Sequence, residues 1–106
     1  MKRTPLLSIF LLLNVGFAQA ADLRGNLTGI AGARVSVSCG SFQRSVSISK
    51  NGGFHITDLP VNQSCHFTVN SGKAVSVRIA FNTNQNVTDY RGILRKVGNK
   101  VIVIRK

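Results

Sequence analysis

Beyond residue 20, apolar residues recur at every second position and helical spacing is hard to find, so the chain predicts strands rather than helices. In "ARVSVSC" the residues Val35, Val37 and Cys39 fall on one face, while Ser36 and Ser38 fall on the other, as a half-buried strand requires. "RSVSISK" repeats the alternation with Val46 and Ile48 inward. "GFHITDL" does so with Phe54 and Ile56, and "SCHFTVN" with Cys65, Phe67 and Val69. In "KAVSVRIAF" the pattern assigns Val75, Val77, Ile79 and Phe81 to the inner face and Ser76 and Arg78 to the outer one. Turn signals separate these segments at Gly40-Ser41, Asn51-Gly52-Gly53, Asp58 to Gln63, Asn70-Ser71-Gly72 and Asn82 to Asn86. Short strands at this spacing predict an all-β domain, a sandwich or small barrel.

The first twenty residues follow a different rule. Lys2 and Arg3 precede an apolar run from Leu6 to Leu13, and the segment ends in Ala18-Gln19-Ala20, the layout of a cleaved secretory signal. The apolar run is short for a membrane span and no second one follows, so no transmembrane segment is expected. Cleavage would leave 86 residues, Ala21 to Lys106, as a single small domain in the periplasm or medium of a bacterium. A domain of that size builds only a modest core and gains from bracing. Export permits oxidation, and the only two cysteines, Cys39 and Cys65, both sit on the apolar side of their strands, so a buried disulfide is expected.

The stretch "GARVSVSC…RSVSISKNGGFHITDLPVNQSCHFTV" resembles the carboxypeptidase regulatory-like family, a transthyretin-like or prealbumin-like β-sandwich. Gly32-Ala33-Arg34-Val35 matches the family's opening strand, Asn51-Gly52-Gly53-Phe54 its turn, and Ile56 to Pro60 the exit from that turn. Asn62 stands where the family commonly has Gly, and Asn can also take a left-handed backbone. The usual Tyr of the next strand is displaced by Cys65 and His66. The resemblance spans about half of the chain beyond Ala20 and implies an Ig-like sandwich and a non-catalytic accessory module.

Candidate catalytic groups are sparse. Hydroxyisourate hydrolases of the transthyretin superfamily end in Tyr-Arg-Gly-Ser, whereas Tyr90-Arg91-Gly92 is followed here by Ile93 and lies inside the chain. The acids are Asp22, Asp58 and Asp89 alone, and His55 and His66 take the polar parity of their strands. With no Glu and no pair of acids near a histidine in sequence, neither general acid–base chemistry nor a metal site is expected, and no cofactor. Asp58, in Thr57-Asp58-Leu59-Pro60, is expected to bond nearby backbone N–H groups.

Charge changes the picture. Without Lys2 and Arg3 the chain carries twelve Arg or Lys against three Asp, a formal +9, which attracts polyanions. Six of those cations fall in the closing "RGILRKVGNKVIVIRK". A two-residue turn at Gly98-Asn99 would pair Val97 with Lys100, Arg95 with Ile102, and Ile93 with Ile104. That register predicts an apolar base of Ile93, Leu94, Val103 and Ile104, a cationic tip of Arg95, Lys96 and Lys100, and a second group of Arg91, Arg105 and Lys106 at the opposite end. The expected activity is engagement of an anionic macromolecule: an envelope polymer, lipid head groups or an acidic protein. Nucleic acid is disfavoured by compartment and by the lack of a stacking platform. The alternatives are a structural subunit or assembly factor acting by β-strand addition, a small transthyretin-like hydrolase, or a basic surface that serves only solubility and edge protection.

Overall fold

Residues 20–106 are described in a computed structural model of the chain; the expected signal segment, Ala20 apart, lies outside them. Nine strands and no helix make up the described residues: β1 (Ala21–Thr28), β2 (Arg34–Cys39), β3 (Phe42–Ser47), β4 (Gly53–Leu59), β5 (Ser64–Ser71), β6 (Ala74–Val75), β7 (Ile79–Asn82), β8 (Val87–Val97) and β9 (Lys100–Arg105). They form one hydrogen-bonded path, β3-β2-β5-β6-β9-β8-β1-β4, with β7 pairing β5 beside β6. The path has a thin point. β6 and β9 join through the single pair Val75 and Lys100, so β3-β2-β5 and β9-β8-β1-β4 behave as two halves around one core. Its two ends come together as well, where Arg44 of β3 donates from Nη1 to the Thr57 carbonyl of β4 at 3.0 Å.

Alternation along the strands decides what is buried. Val35, Val37 and Cys39 of β2 and Cys65, Phe67 and Val69 of β5 face inward from one half, and Leu23, Leu27, Phe54, Ile56, Leu94 and Val101 from the other. Phe67 ties the halves together. Its fully buried ring meets Tyr90 of β8 edge-on at 5.2 Å and tilts against Phe81 of β7 at 6.1 Å. Aromatic pairs in these geometries add about 0.5–1.5 kcal/mol beyond the area they bury.

β1 makes two long-range pairings. β1 lies antiparallel to β4 but parallel to β8, running from Asp22 beside Val87 to Thr28 beside Ile93. Gly25 makes the second pairing possible, because a Cβ at that position would overlap the Tyr90 carbonyl oxygen. A β-bulge interrupts β1–β4 pairing between Ala21 and Leu23, and Asp58 there adopts a φ of 63°. Its carboxylate accepts from the Thr57 hydroxyl at 3.4 Å, and no bond to a backbone N–H of the kind expected from the sequence is formed among the described residues. Asn62 takes a φ of 57°, the left-handed conformation expected of it.

The cysteines are bonded as expected. Cys39 and Cys65 are directly opposite one another on β2 and β5, 1% and 4% exposed, so the bridge lies within one half and does not cross between halves. The "KAVSVRIAF" segment departs from expectation. It is not one strand: β6 ends at Val75, β7 starts at Ile79, and the parity between them is inverted. Ser76 is buried, whereas Val75 and Val77 are exposed. The cause is hydrogen bonding. The Ser76 N–H donates to the Val69 carbonyl (2.9 Å), its hydroxyl accepts from the Val69 N–H (2.9 Å) and donates to the Val77 carbonyl (2.8 Å), so an inward serine satisfies backbone groups that a valine would leave unpaired. Ile48, expected within a strand, is buried just beyond the end of β3.

Two outcomes follow from this packing. Replacing Cys39 and Cys65 together with Ala should lower stability by about 2–5 kcal/mol in chemical denaturation, and the intact protein should lack both thiol hydrogens by mass. A native protein with two alkylatable thiols would contradict the bridge. Ser76→Ala should cost about 1–3 kcal/mol, as expected when a buried N–H loses its acceptor, whereas Val77→Ala should stay within about 0.5 kcal/mol. Equal losses would restore the parity expected from the sequence.

Candidate functional site

The β8–β9 hairpin has the register expected from its turn. Val97 pairs with Lys100, Lys96 with Val101, Arg95 with Ile102, Leu94 with Val103 and Ile93 with Ile104. Gly98 has a φ of 60°, as the first central residue of a type II′ turn requires. Beyond Ile93 the hairpin loses its neighbour on the β1 side, since the last pair there is Thr28 with Ile93. Four further residues of β8, Leu94 to Val97, therefore extend past the last β1 pair, about 13 Å at the rise of a strand.

The expected apolar base is only half right. Leu94 is buried and Val103 half-buried, but Ile93 and Ile104 pair on the outer face and are exposed. Burying both faces of the hairpin would need a third layer of structure. Here the core lies on one side only, so alternate residues reach solvent whether or not they are apolar.

The six cations separate into two groups. Arg95, Lys96 and Lys100 are exposed at the tip, Arg95 and Lys100 on the outer face and Lys96 on the opposite parity. None of the ion pairs among the described residues involves them, although all three acidic residues of the chain are described. Their positive charge is left to the surroundings. The second group gathers at the other end of the hairpin, where the Lys106 N–H bonds the Arg91 carbonyl at 3.0 Å and Gly92 pairs with Arg105. Lys100 and Arg105 stand at the two ends of β9, five residues and about 17 Å apart, so the two groups are not a single site.

Their electrostatic settings also differ. Arg91 Nε lies 3.7 Å from Asp89 Oδ1, and Arg105 stacks its guanidinium 4.7 Å from the centre of the Tyr90 ring. Arg24 Nε approaches the other oxygen of Asp89 at 3.9 Å, and His55 Nε2 meets Asp22 Oδ2 at 3.0 Å. The parallel β1–β8 pairing sets Arg24 beside Asp89, and the β1–β4 pairing sets it beside His55. Arg24, His55, Asp89 and Arg91 line an open groove of about 580 Å³. The Asp22–His55 contact has no signature along the chain, because it joins residues 33 positions apart. Exposed pairs of this kind contribute about 0–1 kcal/mol and largely neutralise one another. No cluster of three or more metal-ligating side chains occurs among the described residues.

Beyond the hairpin, the outer face of β3-β2-β5 is a hydroxyl surface. Ser36 Oγ lies 2.7 Å from Ser45 Oγ and donates to Asn70 Oδ1 at 3.3 Å, and Arg34 donates to Ser47 Oγ at 2.8 Å. No helix of the described residues is long and apolar enough to cross a membrane. Comparison with family models, with curated proteins and with solved structures found no match.

Proposed function

We propose that this is an exported, non-catalytic accessory domain whose C-terminal hairpin engages an anionic macromolecular partner. One observation carries the proposal: Arg95, Lys96 and Lys100 converge on a projecting tip from which all three acidic side chains of the chain are withdrawn into other contacts or other strands. Concentrated positive charge without internal neutralisation raises the local density of anions and speeds their association. Arg91, Arg105 and Lys106 contribute less, since the first is shared with Asp89 and the second is committed to Tyr90.

Support for the accessory role comes from the residues that resemble carboxypeptidase regulatory-like modules, Gly32 to Val35, Asn51 to Phe54 and Ile56 to Pro60. The disulfide suits a periplasmic or secreted location. The second reading, assembly by strand addition, has its own observation. In the ladder between β8 and β9 the backbone groups of Val103 and Arg105 point away from β8, and β9 pairs with β6 only at Lys100.

Converting Arg95, Lys96 and Lys100 together to Gln separates these accounts. Stability should stay within about 0.5 kcal/mol, because the positions are exposed. Retention on an immobilised polyanion should weaken markedly and depend less steeply on salt, because fewer counterions are released on binding. Unchanged retention at low salt, accompanied by aggregation of the variant in concentrated solution, would identify the tip as an edge guard and remove the proposal.

A further inference from the structure

The outer face of the hairpin carries more than charge. Paired residues on neighbouring strands share a face, so the register can be read as rows. The first row is Val75, Lys100 and Val97, the second Ile102 and Arg95, and the third Ile104 and Ile93. All five aliphatic side chains in these rows are exposed, Val97 by 62% and the other four by 39–46%. Val77, just past the end of β6, is 80% exposed. The rows cover about 10 Å across the strands and about 14 Å along them, a patch in which branched aliphatic side chains surround two cations.

Such a face costs free energy in water, and charge alone does not account for it. An acidic polysaccharide would neutralise Lys100 and Arg95 but leave the valines and isoleucines wet. A second copy of the chain seated row on row would bring Arg95 and Lys100 against like charges. A protein partner usually anchors in a recess, and the three clefts described in this molecule lie elsewhere: along β1 and β4, beneath residues 27–32, and on the serine face. A bilayer needs only a planar surface that offers phosphates and hydrocarbon at adjacent depths.

We infer that the outer face of β6, β9 and β8 seats this protein on a bilayer surface containing anionic lipid, with Lys100 and Arg95 at the head groups and Val75, Val77, Val97 and Ile102 at the acyl boundary. The inference rests on the proposed function and narrows its partner to one class. The contrasting face of β3-β2-β5, with Ser36, Ser38 and Ser45, is the side left to water. The contact is interfacial and needs no membrane-crossing element.

The test uses the purified protein and three probes: phosphatidylcholine vesicles, the same vesicles with phosphatidylglycerol as a minority component, and soluble polyglutamate as an acidic polymer without hydrocarbon. The protein should sediment with the mixed vesicles and not with phosphatidylcholine alone. The Arg95→Gln, Lys100→Gln variant should lose on the order of 25-fold in partitioning, since each of the two cations on the seated face contributes roughly fivefold near an anionic surface. Val77→Ser with Val97→Ser, at positions too exposed to affect folding, should keep polyglutamate binding while losing vesicle binding that survives about 1 M salt. Polyglutamate binding without vesicle binding would overturn the bilayer inference and leave the anionic-partner reading standing. Binding to neither probe would overturn both. Vesicle binding unaffected by the two serines would reduce the face to a charged surface and likewise overturn the inference.

Discussion

The parallel pairing of β1 with β8 is the contact on which the C-terminal part of this molecule depends. It joins the beginning of the described chain to a strand more than sixty residues later, and it places the hairpin one strand away from β4. Gly25 allows the two backbones to approach, and Leu23 and Leu27 on the same strand fill the core beneath. Where β1 stops, at Thr28, the hairpin loses its neighbour on the β8 edge, and its cationic tip is held laterally only by the pairing of Val75 with Lys100. Gly29 sets that limit. It turns the chain away at a φ of 120°, close against the Leu94 carbonyl, where a side chain would not fit.

From that pairing the outer surface acquires two unlike faces. On β3, β2 and β5, Ser36 bonds to Ser45 and Asn70, Arg34 bonds to Ser47, and no large apolar group is exposed. On β6, β9 and β8, exposed Val and Ile alternate with Arg and Lys in register. Toward the other end of β8 the charges are paired off, with Asp89 held between Arg24 and Arg91. Positive potential is thus concentrated at the tip by subtraction as much as by addition. A chain with so few acids can neutralise only part of its basic surface, and the fold places the two acids that pair with basic side chains far from the hairpin turn.

What could be read from the sequence was local. Alternation identified the inward residues of β2, β4 and β5, the parity of Cys39 and Cys65 anticipated their bond, and the Gly98-Asn99 turn fixed the hairpin register because a two-residue loop leaves one way to pair. What could not be read required knowledge of neighbours. Ile93 and Ile104 look like core residues until β8 is known to have core on one side only. Ser76 looks solvent-facing until its bonds to Val69 are in place. The Asp22–His55 and Arg24–Asp89 contacts arise from pairings between distant strands, for which alternation carries no signal. The cations of the candidate site were legible as a group of three at one end. Their aliphatic neighbours on the same face were legible only after parity was settled.

The central claim is that the outer face of the hairpin, and not the molecule's overall charge, makes the contact. Amide resonances recorded on vesicles of phosphatidylcholine and phosphatidylglycerol carrying a spin-labelled lipid test it most directly, because the label broadens the residues closest to the bilayer. Broadening confined to Val75 through Val77 and to Ile93 through Ile104 is the result predicted. Equal broadening over Ser36, Ser38 and Ser45, or broadening centred on Arg24 and His55, would contradict the claim and assign the interaction to net charge or to the other groove.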